Sequence, residues 1–220
     1  MVRVLIDGTQ GAARNMAVDE ALLRLCKEPM LRFYRWSEDG VSIGYFQSWK
    51  IAPKERSFVR RYTGGGMVDH ARDFTYSIIA PKAHPICDEG IHASYQKIHE
   101  HIASALNDAG IDAILAQTSG VTPYADEPSC FKKPVKFDVI LNGKKIAGGA
   151  QRRTREGCLH QGSILIENAD FDSLVELFSP RLIKILGKNA KKSALMKEED
   201  TLAFSLEQQR YATQDWNYSR

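Results

Sequence analysis

The sequence has no run approaching the roughly 20 apolar residues that cross a bilayer, and its opening, Met1 to Ile6, meets Asp7 before an apolar leader can form. A membrane-spanning helix is therefore not expected, and a soluble, unprocessed cytoplasmic chain is. Charge of one sign is also lacking. Thirty Lys and Arg against 27 Asp and Glu leave a formal +3, too little to mark a nucleic-acid or membrane-surface partner. Cysteine is scarce: Cys26, Cys87, Cys130 and Cys158 show no C-x-x-C spacing and lack the density of a secreted disulfide scaffold. This argues against zinc and for reduced thiols in a cytosol-like compartment. Internal repeats, low-complexity tracts and composition shifts are absent as well. With 43% hydrophobic residues, residues 1–220 are expected to form a single domain able to bury roughly 70% of its unfolded surface.

Turn signals and periodicity divide the chain into elements. Val2 to Ile6 reads as a strand stopped by Asp7-Gly8, and Ala17, Ala21, Leu22 and Leu25 mark a helix from about Ala13 to Cys26. Leu31 to Trp36 and Val41 to Tyr45, joined through Glu38-Asp39-Gly40, predict an antiparallel hairpin. Strands at Phe58 to Arg61 and Phe74 to Ile79 flank Thr63-Gly64-Gly65-Gly66, and the spacing of Ile91, Tyr95, Ile98, Ile102 and Leu106 predicts a helix. Ala113 to Ala116 reads as a strand, and residues 117–133 as a long surface loop. Asn142-Gly143 then turns a tight hairpin between Val135 to Leu141 and Lys145 to Arg153, with Leu159 to Ile166 as a third strand. Phe171 to Phe178 predicts a helix broken by Pro180, followed by a lysine-rich, weakly amphipathic stretch. Residues 207–220, poor in apolar side chains, are expected to fray.

Two segments carry residues suited to chemistry. Arg60-Arg61-Tyr62-Thr63-Gly64-Gly65-Gly66-Met67-Val68-Asp69-His70 is a glycine-rich loop whose missing side chains let a ligand approach backbone amides. It lacks the Gly-Lys-Ser/Thr ending and following helix of a P-loop. Lys144-Lys145-Ile146-Ala147-Gly148-Gly149-Ala150 sets a lysine before small residues, downstream of Cys130 in its loop. Which of the two lysines turns inward is left open by the register. Cys26 and Cys158 read as core residues, Cys87 as an exposed loop thiol, and Arg152, Arg153 and Arg155 as a solvated basic edge. His92, His99 and His101 fall on a mostly polar helix face, unpromising for a metal.

Taken together, Gly11 to Leu22, Leu31 to Trp36 with Ser42 to Gln47, Arg60 to His70, and Lys145 to Gln151 with Gly162 to Leu165 resemble the biotin/lipoate protein ligase and octanoyltransferase family. That resemblance implies an α/β (α+β type) fold: a mixed, largely antiparallel sheet flanked by helices. It also implies an acyl tunnel bordered by the glycine loop and the lysine strand, with Arg61, Thr63, Gly64, Gly65, Gly66, His70, Gly148, Gly149 and Ala150 as substrate-binding residues. Cys130-Phe131 resembles the Cys-Phe of the cysteine-dependent octanoyltransferase branch. The implied reaction is transfer of an octanoyl or lipoyl group from acyl carrier protein, through a thioester on Cys130, to a lysine of a lipoyl domain or glycine-cleavage H protein. Lys145 is the expected electrostatic partner, and no metal or cofactor is needed. His70 is open as base or as structural hydrogen-bonder. The other branch, lipoate-protein ligase A, activates free acid with ATP and Mg. Gly66 looks ligase-like, whereas the residues after Ile166 are too few for the accessory domain that larger ligases append, so none is expected, although some ligases supply it as a separate chain.

Overall fold

Buried side chains along Met30 to Trp36 leave on both faces, Leu31 and Phe33 to one side, Met30 and Tyr34 to the other, as the period of two in a strand dictates. A strand apolar on both faces belongs in the middle of a covered sheet. The computed structural model describes residues 1–37, 40–117, 134–166 and 169–220. In chain order these form β1 (Val2–Gln10), α1 (Ala12–Arg24), β2 (Met30–Trp36), β3 (Val41–Ile43), β4 (Phe58–Arg60), β5 (Val68–Asp69), β6 (Phe74–Pro81), α2 (Pro85–Asp88) and α3 (Ile91–Asp108). There follow β7 (Ile114–Leu115), β8 (Val139–Leu141), β9 (Lys144–Arg153), β10 (Gly157–Ile164), α4 (Phe171–Leu186), β11 (Ala190–Ser193), α5 (Lys197–Leu206) and α6 (Gln214–Asn217).

Eight strands lie in the order β11-β1-β2-β6-β10-β9-β8-β7, and β4-β3-β5 make a smaller sheet. In the large sheet β11 and β2 run parallel to β1, and the remaining neighbours are antiparallel. The expected mixed, largely antiparallel sheet is therefore the observed one. On one face Ile98, Ile102 and Leu106 of α3 and Leu174, Phe178 and Leu182 of α4 pack together with Val4, Phe33 and Ile78. On the other, Met16, Ala17, Ala21 and Leu22 of α1 pack with Leu5, Tyr34 and Leu159. Asn142 and Gly143 take φ 50° and 76° in the β8–β9 turn, the left-handed values that explain the choice of this dipeptide.

Three expectations are corrected. Met30–Trp36 and Val41–Ile43 do not form a hairpin: β1 and β6 occupy both edges of β2, so β3 leaves for the small sheet, where it pairs with β4 and β5. Pro180 does not break its helix. Leu174, Phe178, Leu182 and Ile185 bury one continuous face through it, and at about 1.5–3 kcal/mol per large side chain that face outweighs a proline penalty of about 3 kcal/mol. The tail from 207 onward is ordered by two aromatic rings, Tyr211 and Trp216, packed on the core and by hydrogen bonds. Trp216 Nε1 donates to Arg60 O at 2.9 Å, Asn217 Oδ1 accepts from Arg60 N at 2.8 Å, and buried Tyr211 donates its hydroxyl to Glu20 at 2.5 Å.

Beneath the sheet lies a wholly buried cation. Arg32 on β2 reaches Asp7 of β1 at 2.6 Å and Asp19 of α1 at 2.8 Å, each with a guanidinium nitrogen. Asp19 also accepts from Ser77 Oγ at 2.8 Å, Tyr34 Oη at 3.1 Å and Gln161 Nε2 at 2.8 Å. Removing one partner strands the others' charge in the interior. Asp19→Ala should therefore lower unfolding free energy by about 3–5 kcal/mol in urea titrations; a loss below about 1 kcal/mol would show that Arg32 finds compensation elsewhere.

Candidate active site

Lys145 is the inward lysine of β9. Its side chain is 1% exposed, and Nζ lies 2.8 Å from Asp138 Oδ2, itself fully buried; Lys144 next to it is exposed. Asp138 is aimed by its surroundings. Phe137 sits at φ 72°, a left-handed conformation that a bulky residue adopts only when its environment enforces it, and its carbonyl accepts from His99 Nδ1 at 2.7 Å. The Asp138 carboxylate further accepts from Tyr95 Oη at 2.6 Å and Val135 N at 2.7 Å. The Tyr95 hydroxyl in turn accepts from Gly149 N at 3.1 Å, so α3, β9 and the segment before β8 all converge on one ammonium. Gly148 carries no side chain because Lys145 lies over it: a Cβ there would fall on Lys145 Cε and Nζ.

The glycine loop faces this lysine across a pocket and is shaped by Arg61. Its guanidinium donates to Ser42 O at 3.0 Å, Ser42 Oγ at 2.7 Å, Gly64 O at 2.9 Å and Gly66 O at 2.7 Å. Gly65 takes φ +82°, and its carbonyl lies where a side chain on Gly44 would stand, so both glycines answer to backbone geometry. Thr63 donates to Gln161 Oε1 at 2.7 Å and thereby joins the loop to Asp19 and Arg32. His70 stacks on Trp36 with centroids 3.7 Å apart. Its Nδ1 lies 2.8 Å from Asp73 Oδ2 and its Nε2 2.6 Å from Ser42 Oγ. A carboxylate can only accept, so Nδ1 donates to Asp73. Both ring nitrogens are thus engaged by side chains.

The pocket encloses about 450 Å³ of empty space, open solvent at its mouth included. Arg61, Gly65, His70, Lys145, Gly148, Gly149 and Ala150 line it, as do Met16, Trp36 and Gln161. Thr63, Gly64 and Gly66 stand behind that wall, Thr63 through Gln161 and the two glycines as acceptors for Arg61. Cys130 lies outside the described residues. A narrow, largely apolar slot with one ammonium in its wall can hold an acyl chain extended and present a positive charge to a carbonyl oxygen.

The sequence profile of the lipoyl protein ligase A/B catalytic domain matches residues 11–201. The chain belongs to this family. Among relatives, an octanoyltransferase LipM from Halalkalibacterium halodurans is 32% identical, the alignment covering 97% of this chain and 84% of the relative. LipM from Bacillus subtilis is 30% identical, covering 99% and 98%. A bipartite lipoate protein ligase from Thermoplasma acidophilum shares the fold, with a TM-score of 0.79 at 22% identity over 98% of this chain and 95% of that one.

Several residues of this family member escaped the sequence reading. His99, placed there on a polar helix face, is fully buried behind Asp138, because Tyr95 and Phe137 cover it. Arg153 is no solvated edge: it donates to Ile86 O at 3.3 Å and Ser94 Oγ at 2.8 Å and also binds Cys87 O. Asp138 and Asp73 carry no local signal, while Tyr95 shows only helical spacing and Ser42 only its place in the motif Ser42 to Gln47. Burial drives His99 down to about 4 and His160 well below its ordinary value, so both rings near the lysine are neutral at pH 7. With its folded value depressed from 6.5, His99 is protonated first in the unfolded chain. The His99 contribution is fully present above about pH 6.5 and should fall by roughly 1.4 kcal/mol per unit down to about pH 4, a loss of about 3 kcal/mol from this residue. Urea midpoints measured across that range should decline in the wild type and decline less in His99→Asn; parallel curves would remove His99 from the acid response.

Proposed function

We propose that this chain transfers an octanoyl group from acyl carrier protein to one lysine of a lipoyl domain or glycine-cleavage H protein, through a thioester on Cys130, in cytoplasmic lipoate biosynthesis. The observation that carries this reading is the Lys145 ammonium, balanced by Asp138, in the wall of a pocket where Gly148, Gly149 and Ala150 leave room beside it. Relatives named octanoyltransferases over nearly the whole chain support the acyl group and the reaction class. Among the described residues no helix is long and apolar enough to cross a membrane, which suits carrier domains in solution as donor and acceptor.

In the first step the Cys130 thiolate attacks the carrier's thioester carbonyl, the carrier thiolate leaves, and a thioester on the enzyme results. One thioester replaces another, so the exchange is near thermoneutral. In the second, a deprotonated lysine amine attacks the new thioester, Cys130 leaves as thiolate, and the amine's surplus proton passes to solvent or a base. Thioester becomes amide, which makes the step downhill without ATP or a metal. Lys145 faces the oxygen on which negative charge grows in both steps, and its second service is to favour the thiolate.

The deciding measurement is acylation of an acceptor domain by octanoyl carrier protein with no nucleotide present. Wild type should turn over and, without acceptor, gain one octanoyl group by intact mass; Cys130→Ser should do neither. An unmodified wild type that acts only on free lipoate with Mg-ATP would assign the chain to the ligase branch. Gly148→Ala, whose added methyl displaces the Lys145 ammonium, should lower kcat at least 10-fold and, by disturbing a buried ion pair, lower the thermal midpoint as well. Lys145→Ala should lower kcat about 10²–10³-fold. Near-normal turnover in both would exclude the ammonium from the chemistry.

A further inference from the structure

Cys87, expected as an exposed loop thiol, is 6% exposed, and Cys158 is 7% exposed. The two come together although 71 positions separate them: Cys87 Sγ on α2 lies 2.7 Å from Cys158 Sγ at the start of β10. Even two carbon atoms rest about 3.5–4.0 Å apart, and the bonded S–S distance is about 2.05 Å, so well under an ångström of motion separates contact from bond. The backbone on both sides is anchored. Cys158 pairs across the sheet with Ala80 of β6 and Arg153 of β9. Cys87 Sγ lies 3.4 Å from Pro81 O, while Arg153 grips the Ile86 and Cys87 carbonyls at the end of α2. The Cys87 thiol is held below its ordinary value, first by the hydrogen bond with Cys158 and then by the nearby charges of Arg153 and Lys82. Cys26, by contrast, is pushed up to about 12 by burial. One sulfur of the pair is therefore disposed to act as the attacking thiolate.

We propose that Cys87 and Cys158 form a reversible disulfide that staples α2 to β10, made by a peroxide or by exchange with a small-molecule disulfide. With hydrogen peroxide, the Cys87 thiolate takes one oxygen to give a sulfenic acid and releases hydroxide. Cys158 sulfur then attacks the sulfenyl sulfur, its proton and the departing hydroxyl leave as water, and two electrons have passed from the thiols to the peroxide. With oxidised glutathione, Cys87 forms a mixed disulfide and releases one glutathione thiolate, and Cys158 displaces the second. The staple requires neither Cys130 nor the acyl pocket, and it stands whichever reaction that pocket catalyses.

The test is non-reducing peptide mapping of the whole protein after two treatments: native incubation with hydrogen peroxide, and refolding from urea in a glutathione redox buffer, where access of the oxidant to a buried pair is not limiting. A peptide linking Cys87 to Cys158 is expected from the refolded sample, reversible by dithiothreitol. Because the closed loop is long, the oxidised form should melt about 5 °C or more above the reduced one. That difference should vanish in Cys87→Ala and in Cys158→Ala and persist in Cys26→Ala. Both thiols free to label after refolding, or a cross-link through Cys26 or Cys130 in their place, would overturn the proposal.

Discussion

A lysine ammonium cannot stay in a protein interior alone, since desolvation costs several kcal/mol even after relaxation. The pairing of Lys145 with Asp138 at 2.8 Å is the constraint around which this site is arranged. It explains why Phe137 is held left-handed, why Tyr95 of α3 donates to the same carboxylate, and why position 148 is glycine. Each holds the anion in place or leaves room for the cation. Such an ammonium owes its reactivity to fixed surroundings, because groups already oriented need no reorganisation when charge develops on a substrate oxygen.

The opposite wall is organised by a second set of buried polar groups. Arg61 gathers the carbonyls of the glycine loop, while Thr63, through Gln161 and Asp19, ties that loop to Arg32 in the centre of the sheet. His70, stacked on Trp36 and bonded to Ser42 and Asp73, closes one side of the pocket. Charges and hydroxyls thus hold both walls, while small and apolar surfaces face the cavity. Polar networks of this kind rigidify when their members are satisfied, and a rigid slot keeps an extended chain in one position.

Much of the architecture could be read from local pattern. The 3–4 spacing of α3 and the Asn142-Gly143 turn each reflect forces acting within a few residues. The misreadings share a cause. A hairpin between Met30–Trp36 and Val41–Ile43 is locally reasonable, yet β1 and β6 take both edges of β2. Pro180 breaks a helix in isolation, yet α4 gains more from its apolar face than it loses at one hydrogen bond. The apolar-poor tail is fixed by partners such as Arg60 and Glu20, some 150 to 190 positions away. At the site, the lysine, the small residues after it and the glycine loop were legible. Asp138, Tyr95, His99 and Asp73 were not, because their significance is a meeting of distant segments.

The sequence by itself determined the family, through motifs whose order and composition extend over most of the chain, and the element types, through periodicity and turn chemistry. Only the tertiary structure decided that Lys145 rather than Lys144 turns inward, that Asp138 balances it, and that Cys87 meets Cys158. A strand's alternation states that neighbouring residues face opposite ways, but which way depends on the strands and helices packed against each face. Charge pairing and thiol contact likewise depend on distances between atoms that chain order does not encode.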